Sequence, residues 1–448
     1  MSNDRMGHEN IWKLIGRMTL PTIAAQLINM LYSIVDRIYI GHIPEEGQIA
    51  LTGVGLATPI VVVIAAFSLF VGNGGAPLAS IALGQKDRPR AEQILGNGVS
   101  FLIGLSAILP VLCILFAEPI LYATGASDAT FGYAHSYLML YIIGTPMVMI
   151  NMGLTPFVLA QGKTMIATLS MVLGAFVNIA LDPLFIYTFD LGVQGAAIAT
   201  VIAQAASAAP ILYFLLFKTE LRIRAACLRP HLKTLGRIAS LGIAPFVMAA
   251  TESVIGFVLN GNLQAYGNDL YVGCLTVMQS VMQLITVPVS GFVQGVSPII
   301  SFNYGAGNKE RVKKTFRIML LLLCSYMALL VSFIILFPAF FAAIFTSDPA
   351  LIRLTEQAMP IFMAGMLIFG LQRSCQTAFL ALGQAKFSLF FALWRKIILL
   401  VPLAIILPRF FGVMGIYYAE PIADSVAAIT CCTVFLLNFN KILNKPPK

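Results

Sequence analysis

Charged residues are scarce in this chain: 10% of 448 residues, against roughly a quarter in soluble globular domains, while 59% are hydrophobic. That ratio excludes a soluble globular domain. The four histidines (His8, His42, His135, His231) are scattered without metal-ligand spacing. Six of the seven cysteines lie within apolar runs and Cys227 lies in a basic loop, so no paired extracellular set suggests a disulfide framework. No Gly-x-x-x-x-Gly-Lys-Ser/Thr phosphate loop occurs, which argues against a chain that powers itself with ATP. Short alternating segments, the mark of a transmembrane barrel, are also missing.

Long apolar runs are present instead, from Ile11 to Leu443, each able to span about 30 Å of hydrocarbon. Twelve spans are predicted: 11–41, 49–82, 91–117, 131–158, 164–188, 192–217, 236–265, 269–302, 315–345, 354–382, 385–408 and 412–440. The first run lacks a small-residue cleavage signature and is expected to be a retained span. The net charge of +9 requires no nucleic-acid partner, because its distribution reads as topology. Of 28 basic residues, 22 fall at the N-terminus and in every second loop up to Lys441, Lys445 and Lys448. The opposite loops hold only Arg37, Arg353 and Arg409, and Arg373, Arg395 and Lys396 lie inside spans. This bias predicts both termini in the cytoplasm of a multi-pass protein of the cell membrane.

The chain also repeats itself. "GQKDRPR" at 84–90 aligns with "GAGNKER" at 305–311, and "LAQG" at 159–162 with "LALG" at 380–383, both at offset 221. "LGVQGAAIATVIAQAASA" at 191–208 aligns with "FGVMGIYYAEPIADSVAA" at 411–428, and "WKLIGRM" at 12–18 with "LKTLGRI" at 232–238, at offset 220. Compositional bias does not explain the shared polar loop. The expected organisation is an N-terminal lobe of six helices (1–217), a cytoplasmic linker (218–235) and a C-terminal lobe of six (236–448). Because six is even, the lobes share an orientation and relate by a pseudo-twofold along the membrane normal, the plan of parallel-repeat transporters.

Acids within such spans are informative, since a carboxylate in hydrocarbon costs at least about 2.5 kcal/mol and needs a cavity or a partner. In "FVNIALDPLF" (176–185), Asn178 and Asp182 share a helix face. At about 1.5 Å per residue, Asp182, Asp36, Thr200 and Asn178 lie roughly 8–15 Å inside the same end of their spans. Gln26, Asn29, Ser33 and Asp36 form a polar stripe on one face of the first span. Competing readings are an interfacial Asp36 beside Arg37, an Asp182 bonded locally at a helix end beside Pro183, and a Thr200 used only for packing among small residues. Oxygen ligands at one depth suit a small cation, and two neighbouring carboxyl groups can share a proton. That is the chemistry of an ion-coupled transporter rather than of an enzyme.

In the C-terminal half Glu252 lies mid-span. With Met278, Gln279, Met282, Gln283 and Gln294 it could line an amphipathic cavity, methionine being adaptable; the alternative is an ion pair with Arg373 or Lys396. Glu420 and Asp424, four apart, read as a pair or a solvated mouth.

The stretches "LPTIAAQLINMLYSIVDRIYIGHI", "GNGGAPLASIALGQKD", "NIALDPLFIYTFDLGVQGAAIATVIAQ" and "GVMGIYYAEPIAD" resemble the multidrug and toxic compound extrusion (MATE) family, in its MepA/DinF-like bacterial branch. The resemblance covers nearly the whole chain. It implies an all-α, V-shaped fold of two six-helix bundles that exports organic, mostly cationic and amphipathic compounds in antiport with Na⁺ or H⁺, as a monomer in the bilayer and without a cofactor beyond the coupling ion. It implies a cation site at Asp36, Asn178, Asp182 and Thr200, able to take Na⁺. Glu252 matches an acid of other relatives' seventh span, whereas the tenth span here carries Gln372 and Arg373 and no Asp. A lipid-linked oligosaccharide flippase of the same superfamily is the alternative; it calls for a strongly basic central cavity and extra spans.

Overall fold

The computed structural model describes residues 2–44, 46–219 and 221–445, without the side chains of residues 2–4, 253, 254, 257 and 269. Lys448, counted above among the loop bases, lies outside the described residues. Among these, regular structure is helical throughout. Ten helices are long and apolar enough to cross a membrane, and two bent helix pairs bring the crossings to twelve. In order, the spans are Ile11–Gly41, Gly47–Gly84, Arg88–Ala123, the pair Asp128–Ile143 and Thr145–Ala160, then Thr164–Thr188 and Gly192–Lys218. The second half has Leu232–Tyr266, Asp269–Gly305, Lys309–Leu336, the pair Pro349–Met363 and Met366–Ala381, then Ala385–Phe411 and Met414–Asn444. They form two bundles of six.

The fourth and tenth spans are broken by 59° and 41°. The breaks fall at Gly144 and at Ala364–Gly365, and the two glycines are 221 residues apart, so both repeats carry the same interruption. The ninth span stops at Leu336, short of the predicted 345, and a separate helix runs from Pro338 to Phe345. Pro338 has no N–H to continue the ladder, which ends the first helix and starts the second.

Large apolar side chains point outward where lipid would lie: Phe176, Leu329 and Phe410 are each more than 70% exposed. With no apolar gain from leaving lipid, helices in a bilayer associate through close fit. The lobes meet in that way. Thr22 Oγ1 donates to Gly291 O at 2.7 Å, and a Cβ on Gly291 would lie 2.6 Å from Ile23 Cα. In the counterpart contact a Cβ on Gly242 would lie 1.9 Å from Phe70 O. Thr22 and Gly242 are related by 220 residues, and Phe70 and Gly291 by 221, so one interface contact occurs twice around the pseudo-twofold.

The segment between the sixth and seventh spans is tied to the third. Asn97 Nδ2 donates to Cys227 O at 3.2 Å, its Oδ1 accepts from His231 N at 2.7 Å, and Ser100 Oγ donates to Leu228 O at 2.5 Å. Arg224 pairs with Glu92 at 2.9 Å. The apolar interiors of the lobes differ. The C-terminal lobe has one continuous core, which also takes in Ile11, Leu14, Ile15, Met18 and Ile81, whereas the N-terminal lobe has two, one toward the basic-loop end that includes Ile238 and Phe302 and one around Ile40, Tyr137 and Ile186.

Candidate functional site

The fifth span carries Asn178 and Asp182 one turn apart, almost fully buried at 1% and 0% exposure. Asn178 Nδ2 donates to Asp182 Oδ1 at 3.2 Å. Beyond Asp182, Pro183 lacks an N–H, and the helix widens into a π-turn over Leu184–Thr188. Asp36 from the first span lies beside Asp182, close enough for the two carboxyls to interact. Asp36 Oδ1, Asp182 Oδ2 and Asn178 Oδ1 are all buried without a hydrogen-bond donor. Buried polar atoms are normally satisfied, so three orphan acceptors on touching side chains form a feature that a cation or a proton would complete. Arg37, adjacent in sequence to Asp36, is exposed. Thr200, on the sixth span, lies near the Tyr137 side chain and joins Asn178 on the wall of a cavity.

That cavity measures about 340 Å³. Gln26, Asn29 and Tyr32 supply one wall, and Tyr32 also lies within electrostatic reach of Asp36 and Asp182. The first-span stripe thus reaches the cavity at Gln26 and Asn29, whereas Ser33 is exposed and does not line it. Gln294, Ser297 and Ser301 of the eighth span close the side toward the C-terminal lobe, with Gln26 Nε2 donating to Gln294 Oε1 at 3.3 Å. The lining side chains are polar or apolar, and none is charged.

The C-terminal candidates are arranged differently. Glu252 pairs with Lys396, its own side chain 66% exposed while that of Lys396 is 5% exposed. Met278 requires a correction: it is fully buried in the C-terminal core instead of lining a cavity, because its face of the eighth span turns into that bundle. Met282 packs on the same core, Gln279 is half-buried and Gln283 is exposed; none of them lines the cavity described above. Glu420 and Asp424 both pair with Arg395, Asp424 at 2.5 Å and Glu420 at 3.4 Å.

Sequence reasoning missed a partly buried amide pair on the cavity wall, Asn151 Nδ2 to Gln204 Oε1 at 2.7 Å. The signal existed, since amides inside apolar spans demand partners just as acids do. Among the described residues no group of three or more His, Cys, Asp or Glu converges as a metal cluster.

The family model for MatE matches residues 21–184 and 245–406, one stretch in each lobe. The chain belongs to the MatE family. It is 26% identical over 420 residues to the multidrug export protein MepA of Staphylococcus haemolyticus (strain JCSC1435), covering 94% of this chain and 92% of that protein. It is 25% identical over 428 residues to the MepA of Staphylococcus aureus (strain NCTC 8325 / PS 47), covering 95% and 94%. Among solved structures, a MATE protein in complex with MaD3S superposes with a TM-score of 0.91 at 22% identity, covering 98% of this chain and 99% of that one. An outward-facing multidrug resistance MATE transporter of the MOP superfamily superposes at 0.90, with 22% identity and 98% coverage of both chains. The twelve-helix, two-bundle architecture is therefore that of the MatE family.

Proposed function

We propose that this chain is a secondary active multidrug exporter of the cytoplasmic membrane that expels amphipathic organic cations in exchange for Na⁺ or H⁺. The observation that carries this reading is the buried contact between Asp36 and Asp182 with three donor-less oxygens, beside a cavity that shares Asn178 and Thr200 with it. The names of the MepA relatives support export of drugs. In the proposed cycle residues 1–217 and 236–448 move as two lobes about the 218–235 linker, both termini stay in the cytoplasm, and a single chain suffices.

Asp36 and Asp182 bind the coupling ion, and Asn178 and Thr200 offer it neutral oxygens. A ligand shifts a conformational equilibrium only by its differential affinity for the two states. The ion therefore works by stabilising the state in which the first and fifth spans bring the two carboxyls together. Organic cations occupy the neighbouring cavity, where Gln26, Asn29 and Tyr32 give polar contact and the acids at its end give attraction at a distance. The uncharged lining disfavours the flippase alternative, because a pyrophosphate head group needs bases.

Purified protein in liposomes, loaded with a fluorescent organic cation, tests the proposal under Na⁺ and H⁺ gradients imposed separately. Efflux driven by one of the two gradients is the expected result. Efflux indifferent to both would remove the coupling role of the acids.

A further inference from the structure

The repeat offsets relate the cavity of the N-terminal lobe to a definite place in the C-terminal lobe. The fifth and eleventh spans begin in register, with N-caps Lys163 and Gln384 221 residues apart. At offset 220 or 221, the cavity residues Tyr32, Asn151, Gly174, Ala175, Thr200 and Gln204 fall on Glu252, Gln372, Arg395, Lys396, Glu420 and Asp424. Five of these six uncharged positions around a void in one lobe are thus charged in the other, and Gln372 stays an amide; there the apolar core is continuous.

We propose that the C-terminal lobe contains a second cation site that the protein occupies with its own side chains: the Arg395 guanidinium in a cradle of Glu420 and Asp424, and the Lys396 ammonium on Glu252. Arg395 Nε donates to Asp424 Oδ1 at 2.5 Å and Nη2 to Glu420 Oε1 at 3.4 Å, while the guanidinium carbon lies 4.7 Å from the centre of the Phe369 ring. A planar cation between two carboxylates and an aromatic face is a complete recognition site for a guanidinium. The cradle keeps spare acceptors: Asp424 Oδ2 and Gln372 Oε1 are buried and unpartnered, on residues 1% and 2% exposed. Bases and acids balance in this cluster. Arg373 lies within electrostatic reach of Arg395 and Glu252 and supplies a third positive charge against three carboxylates. Tethered cations cannot exchange, so the positions they fill are closed to a mobile ion during a transport cycle. The site is latent, and removing a tether opens it to a small organic cation of the same chemistry.

Chemical rescue tests this. Arg395→Gly, purified in detergent, is heated with and without 10 mM guanidinium chloride, against NaCl of equal ionic strength. The expected result is an unfolding temperature below wild type that guanidinium raises by about 3 °C, with no comparable rise in the wild-type protein. Equal response in variant and wild type, or none in either, overturns the proposal. If Arg395→Gly is not recovered folded, Lys396→Ala with butylammonium decides instead, since the Glu252 side chain of that pair is exposed. The same rise confined to that variant sustains the site, and its absence overturns it.

Discussion

At the scale of single residues, Asp182 and Glu252 show how an acid in a span can end in opposite circumstances. Asp182 touches another acid and an amide and keeps an oxygen unpartnered, while Glu252 has a lysine against it. Asp182→Asn preserves shape and can still accept from Asn178 Nδ2. It cannot release a proton or attract a cation as a carboxylate does. We expect gradient-driven efflux to vanish in Asp182→Asn, and nearly so in Asp36→Asn, with membrane insertion and yield unchanged. Vesicle efflux assays beside a quantified membrane fraction measure both quantities, and normal efflux from correctly inserted Asp182→Asn would make this carboxylate structural. Spacing alone marked Asp36, Asn178 and Asp182 as sharing a depth, because position along a helix is arithmetic. The misreading of Met278 arose because four-residue spacing defines a face but not what that face meets.

At the scale of elements, long apolar runs identified the spans, and charge between them suggested their direction. Their interruptions were harder to read. The break at Gly144 sits in a run as apolar as its neighbours, and the π-turn after Asp182 follows from Pro183 only once the helix is seen to continue. The inter-lobe contacts also belong to this scale. Gly242 admits the Phe70 carbonyl at a distance no side chain tolerates. Gly242→Val therefore props the seventh span away from the second. Overpacking of this kind costs about 1–3 kcal/mol, enough to shift a two-state balance by about fivefold to a hundredfold. The expected outcome is lost efflux with retained insertion, and faster thiol labelling of single cysteines introduced along the first and second spans near Thr22 and Phe70. Labelling at the wild-type rate would show that this contact does not govern closure.

At the scale of the whole molecule, predictions concern topology and linkage. The distribution of bases motivates cytoplasmic loops at 84–90 and 305–311, which carry Lys86, Arg88, Lys309 and Arg311. Reporter fusions should place both loops on the side of the termini, and either one outside would reverse the orientation. Coupling between ion and drug must be reciprocal. Raising Na⁺ or lowering pH should weaken binding of a fluorescent organic cation by the same factor by which that cation weakens the ion. The double variant Asp36→Asn, Asp182→Asn should lose this dependence and keep basal binding. Glu252→Gln should preserve the dependence, since its partner is a lysine. Equilibrium titrations across pH and Na⁺ concentration check this, and the reverse pattern would move coupling to the C-terminal lobe.

The sequence by itself determined the membrane-spanning class, the twelve spans, the duplication and the small set of polar groups that hydrocarbon would not tolerate alone. Each of these is a one-dimensional property: hydropathy along a run, an offset between runs, or a residue's height on its own helix. Only the tertiary structure decided which acids are free and which are neutralised. Asp36 and Asp182 face each other across two helices, whereas Glu252, Glu420 and Asp424 face Lys396 and Arg395. The deciding quantity is the identity of the side chain on the opposite helix, and no spacing within a single helix encodes it.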